Sequence, residues 1–165
     1  MNAKKKDDGI NKPREQVISE SVGYLESHNI MTMATASLDG TPNASALEYA
    51  NDGLDVVVFS RGKSWKVTNI RENPKVFYEV HDDLKIDRES LRRIIGLQVA
   101  ASAEIVDSND PRYEPLYGLM EKKFPVFKGI PKQQERVILL FKPNKLWLLD
   151  YSKKFFHRDE ISFNE

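Results

Sequence analysis

The chain has 165 residues, enough for one domain with a sizeable core, and its 40% hydrophobic and 30% charged residues are an ordinary soluble composition. Its 25 basic and 25 acidic residues cancel, so no whole-molecule field draws it toward nucleic acid or an anionic membrane. It has no cysteine, which excludes disulfides, a thiolate nucleophile, Cys-ligated zinc and iron–sulfur clusters together.

Residues 1–12 are polar and charged with one Ile, and read as a disordered arm ahead of a single domain over 13–165. The basic residues of the arm have no apolar core behind them, so a signal peptide or anchor is not expected. No run approaches the roughly 18 apolar residues of a membrane span. A cytoplasmic protein is the expectation, with neither membrane nor nucleic acid as partner.

From Pro13, apolar residues at Val17, Ile18, Val22 and Leu25 recur at helical spacing and predict an amphipathic helix to about Ser27. Three strands are predicted next, at 30–36, 44–50 and 54–60, joined by the turns "LDGTPN" and "NDG", whose Asp-Gly pairs mark an antiparallel meander. A helix is expected from near Ser64 to before Pro74, then an alternating strand at 75–81. The charged stretch "DDLKIDRESLRR" reads as a loop with at most a helical turn. The segment 94–106 is long for a strand, and Gly96 with Ala100, Ala101 and Ser102 suggests a bend or bulge at a barrel corner. Asp110 and Pro111 suit the start of a third helix. "RVILLFKP", "KLWLLDYS" and "FFHRDEISF" close the chain as strands. The predicted fold is mainly β with flanking helices, a six- to seven-stranded antiparallel barrel rather than a doubly wound parallel sheet.

Few chemical signatures survive inspection. The histidines, His28, His81 and His157, fall on separate elements without metal-ligand spacing. There is no GxSxG elbow, GxGxxG turn or P-loop. The unusual stretch is "SRGKSWK". Arg61, Lys63 and Lys66 crowd a predicted helix start, where the peptide dipoles already present positive charge. An anion there would relieve both the repulsion and the dipole, and a phosphate suits the hydroxyls of Ser60 and Ser64, the bare backbone of Gly62 and the lysine charges. The same residues also fit a solvated basic loop with Ser64 as a plain N-cap. Phe59, Trp65 and Trp147, with Tyr151, Phe155 and Phe156, could line a cleft for a flat phosphorylated ligand, or could be core.

These segments, in this order from Val17 to Phe163, resemble the pyridoxamine 5'-phosphate oxidase-like FMN-binding split barrels. The resemblance is most specific at Ser60, Ser64, Lys66, Asn73 and Pro74. It implies a homodimer with two FMN sites at the subunit interface, each lined from both chains. It places Ala46, Leu47 and Glu48 beside the isoalloxazine, Phe59 and Ser60 under it, and Ser64 and Lys66 on the phosphate. It sets Trp147 near a flavin-contacting Trp, and His157 or Arg158 near a basic partner. The oxidase tends to carry Arg where this chain has Trp65, so Arg61 or Lys63 is the expected replacement. "FFHRD" and "YEPLYGLMEKKF" differ from the oxidase's substrate-binding segments, so a small molecule other than pyridoxamine phosphate is the expected substrate. The implied function is an FMN-dependent oxidoreductase. Alternatives on the same fold are a non-catalytic flavin module or a deazaflavin- or haem-binding protein.

Overall fold

The structure is a computed structural model that describes residues 12–130 and 135–163. Most of the predicted arm therefore lies outside the described residues. Lys12 is held: its Nζ pairs with Glu20 and with Asp150 at 3.3 Å.

The described chain folds into eight strands, three α-helices and two short 3-10 turns. Helix α1 is Arg14–Ser27; β1 and β2 are Ile30–Ala36 and Pro42–Glu48; β3 and β4 are Ala50–Asp52 and Asp55–Arg61. Helix α2 is Trp65–Glu72, β5 is Lys75–His81, β6 is Ile95–Val106, α3 is Tyr113–Lys123, β7 is Arg136–Asp150 and β8 is Arg158–Ser162. Both Asp-Gly turns use glycine where L side chains are strained, at φ 84° for Gly40 and 59° for Gly53.

All described strand pairs are antiparallel, and seven strands follow the order β2-β1-β5-β6-β7-β4-β3, with β8 added on β7. The predicted second strand is in fact two. Tyr49 separates β2 from β3, which sit at opposite ends of that order, so the sheet curls until its two edges meet at one buried residue. Its hydroxyl donates to the Leu25 carbonyl at 2.9 Å. Lys123 Nζ donates to the same carbonyl at 2.9 Å and lies 4.1 Å from the centre of the Tyr49 ring. Burial brings its pKa down to about 8.

Two predicted strands fuse into β7. It runs the length of β6, with the register shifting between Ala100 and Ala101, where the sequence suggested a bulge. On its other edge the first half of β7 pairs with β4 and the second half with β8. The third helix starts later than expected. Asp110 Oδ1 accepts from the Arg112 backbone N–H at 2.8 Å, but the helix begins at Tyr113.

The run Val56–Val58 is apolar without alternation because β4 is covered on both sides. Val56 and Val58 join the core inside the curled sheet, beneath α1 and α2, whereas Val57 joins a second core formed with α3. Val67 and Ile70 of α2 enter the first core; Tyr113, Tyr117 and Met120 of α3 enter the second. This double anchoring fixes the C-terminal end of β4, where the basic loop begins.

Candidate functional site

Period-two alternation along β4 continues past the valines. Ser60 follows Val56 and Val58 toward α2 and is nearly buried, and its Oγ lies 2.9 Å from Ser64 Oγ. Phe59 follows Val57 toward α3, packing on Tyr117 at 4.6 Å and Phe127 at 5.5 Å between ring centroids. The chain then leaves the sheet through a turn and enters α2. Asn69 anchors that helix by donating from Nδ2 to Thr35 Oγ1 at 3.0 Å, and Asn73 accepts from the Lys75 backbone N–H at 3.2 Å. Asn73, the Asn of the Asn-Pro pair, is thus a structural link from helix to strand.

The end of β4, the loop and the first turn of α2 enclose a cavity of about 850 Å³, lined by Phe59, Ser60, Arg61, Lys63, Ser64, Lys66, Glu135 and Arg136. Six of these eight are residues the sequence singled out. Ser64 occupies the N-cap position of α2 but makes no capping hydrogen bond; its hydroxyl is turned to Ser60 instead. The first turn of α2 contains no acidic residue. Lys63 pairs with Glu135 at 3.0 Å on the exposed rim, a contact worth little in water. Arg61 and Lys66 have no ion pair among the described residues. Gly62 also has a structural role: its N–H donates to the Glu135 carbonyl at 2.7 Å, and a Cβ would stand 3.2 Å from that oxygen.

Sequence reasoning missed Glu135 and Arg136. Arg136 heads β7 directly opposite Arg61, and its guanidinium sits over the Phe59 ring, 5.1 Å from the centroid. Its Nη1 is buried without a hydrogen-bond partner among the described residues. The available signal was an arginine at the head of a strand predicted to join the barrel.

The remaining predicted residues lie elsewhere in the chain. Trp65 turns away from the cavity, 79% exposed, and lines a neighbouring one of about 620 Å³ with Ser37, Asp39, Thr41, Pro42, Asn43 and Asn69. Leu47 packs on the inner core. Ala46, Glu48 and Trp147 are on the outer face of the sheet, where Ala46, Thr32, Glu79, Gln98, Trp147 and Glu160 form one row across six strands. Trp147 donates from Nε1 to Glu160 at 2.8 Å, and its ring lies 6.0 Å from that of Phe77. Arg158 is exposed at the start of β8, and His157 is 3.3 Å from the buried Asp159. His28 is held by Asp82 and His81 by Glu79, both at 2.8 Å. Among the described residues no cluster of metal-ligating side chains occurs, and no helix is long and apolar enough to cross a membrane.

Comparison with known proteins gives this geometry a context. The family model described as pyridoxamine 5'-phosphate oxidase matches residues 19–150. No curated protein matches the chain. Among solved structures, a haem-binding protein from Mycobacterium smegmatis superposes with a TM-score of 0.71 at 14% identity, covering 92% of this chain and 59% of its own. General stress protein 26 from Bacillus anthracis gives 0.65 at 14% identity, covering 90% and 99%. An F420 reductase gives 0.53 at 28% identity, covering 77% and 94%. The first two likenesses concern the fold alone.

Proposed function

The chain belongs to the pyridoxamine 5'-phosphate oxidase family, and we propose that it is an FMN-binding oxidoreductase of that family acting on a small molecule. The observation that carries this reading is the cavity at the end of β4. It gathers the hydroxyls of Ser60 and Ser64 and the cations Arg61, Lys66 and Arg136, and one buried guanidinium nitrogen there lacks a partner. Such a donor set suits a phosphate group: charge-assisted donors converge on it, and the uncapped start of α2 favours negative charge. The volume lies within the usual range for ligand sites. The residues therefore fit FMN, whose bound ring system would supply hydride or electron transfer.

In this reading Ser60, Ser64 and Lys66 hold the phosphate, with Arg61 completing its neutralisation and Lys63 at the rim. Phe59, stacked on Tyr117, gives the cavity its rigid apolar wall. Ala46, Glu48 and Trp147 share an outward sheet face in one protomer, so their part in flavin binding is that of a homodimer, in which this face is covered by the partner and the site is lined from both chains. Trp65, His157 and Arg158 belong to the same proposed assembly as flavin-side contacts, and Leu47 contributes its backbone there, its side chain being packed on the inner core.

The likeness to an F420 reductase at 28% identity favours a deazaflavin as the second reading. Haem is less well served, since no histidine lines the cavity and all three are held by carboxylates elsewhere. Fluorescence-quenching titration separates the readings. FMN is expected to bind more tightly than riboflavin and to confer a flavin absorbance that bleaches with NAD(P)H; equal affinity for the two flavins would remove the basis for the phosphate assignment. Binding without bleaching by NAD(P)H would favour a non-catalytic module.

A further inference from the structure

Arg136 was absent from the expected phosphate set, yet its surroundings fit that role. It is the direct partner of Arg61 at the last step of the β4–β7 ladder, and directly paired residues carry their side chains on the same face of a sheet. Two guanidinium groups so placed repel each other. The carboxylate lining the cavity, Glu135, pairs with Lys63 at 3.0 Å and with neither arginine among the described residues. Stacking on Phe59 holds the Arg136 plane at the wall of the cavity, and Nη1 is buried without a hydrogen-bond partner among the described residues. A buried charged donor left unpaired is expensive, so one at the wall of a cavity calls for a partner there, an anion or an ordered water.

We propose that Arg136 is a phosphate-holding residue of the cofactor site, supplying from β7 the guanidinium that the oxidase tends to carry at the position of Trp65. Trp65 is turned into the neighbouring cavity and leaves that place to Arg136. This assignment rests on the FMN reading. It makes the phosphate seat a two-element structure, with the β4 loop and the α2 start on one side and the head of β7 on the other.

The test uses the full chain as wild type, Arg136→Met and Arg136→Lys, each titrated with FMN and riboflavin. Arg136→Met should weaken FMN binding about ten- to a hundredfold and leave riboflavin within about twofold, as for loss of a hydrogen bond to a charged group. Arg136→Lys should recover part of the loss, since it restores charge without the planar donors. Unchanged FMN affinity in Arg136→Met, with wild type still preferring FMN to riboflavin, would overturn the assignment and leave the FMN reading standing. Equal loss of both flavins would also overturn it, by reducing Arg136 to packing on Phe59. A wild type without preference for FMN would instead overturn the reading beneath it.

Discussion

Lys66→Ala tests whether the basic cluster is compensated by a ligand. Lys66 is the second residue of α2, half-buried, lining the cavity and without an ion pair among the described residues. If it holds the FMN phosphate, its loss removes a hydrogen bond to a charged group, about 1.5–3 kcal/mol, or roughly tenfold to over a hundredfold in dissociation constant. The apo-protein should respond in the opposite direction. Alanine is the better helix former by a few tenths of a kcal/mol, and removing a cation from the positive end of the helix adds about 0.3–1 kcal/mol. For a chain of this size that sum corresponds to an apo melting temperature unchanged or raised by roughly 1–4 °C. Fluorescence titration of FMN and riboflavin, with apo melting curves, measures both arms. FMN affinity within about twofold of wild type would refute the reasoning, because a solvated surface lysine behaves in that way.

Two further predictions concern assembly and pH. Ala46 is exposed on the outer sheet face, so Ala46→Arg should cost an isolated protomer no more than about 0.5 kcal/mol; in the proposed dimer it should produce monomers by light scattering and loss of FMN binding together. A variant that stays dimeric and binds FMN would remove this face from the interface. Burial lowers Lys123 from 10.5 to about 8, so between those values the unfolded chain binds the extra proton and the residue's contribution to stability rises with pH. The stability of wild type minus that of Lys123→Met should therefore grow from about pH 8 toward pH 10 in urea titrations; a flat difference would mean the ammonium is not desolvated.

The barrel was legible because its signals are local. Asp-Gly pairs marked two turns, the both-sided apolar run marked β4, and the small residues at 100–102 marked a bulge that the β6–β7 register shift shows. Pairing across the chain was not legible. Tyr49 continues the alternating pattern of β2, and nothing local reveals that the sheet edges meet at that residue. Nor do Pro143 and Asn144 end a strand, because β6 spans the interruption and keeps β7 whole. At the site, "SRGKSWK" announced most of the cavity lining because those residues are adjacent in sequence. Arg136 was hidden because it reaches the cavity through strand pairing. Trp65 was expected beside the same ligand, but helical geometry turns it away from Ser64 and Lys66 into a separate cavity.

The pairing of β4 with β7 also governs when the cavity comes into existence. Between these partners lie α2, β5, β6 and α3, so Ser60 and Arg61 meet Val137 and Arg136 only through contacts that close a long loop. Such contacts form late and slowly, because their entropy must be met before they return any stability. A cofactor that needs both strands cannot guide the nascent barrel; it meets a chain already folded. Added FMN should accordingly leave the refolding rate unchanged and slow unfolding, making the proposed flavin site a kinetic latch on the finished barrel rather than a nucleus for building it.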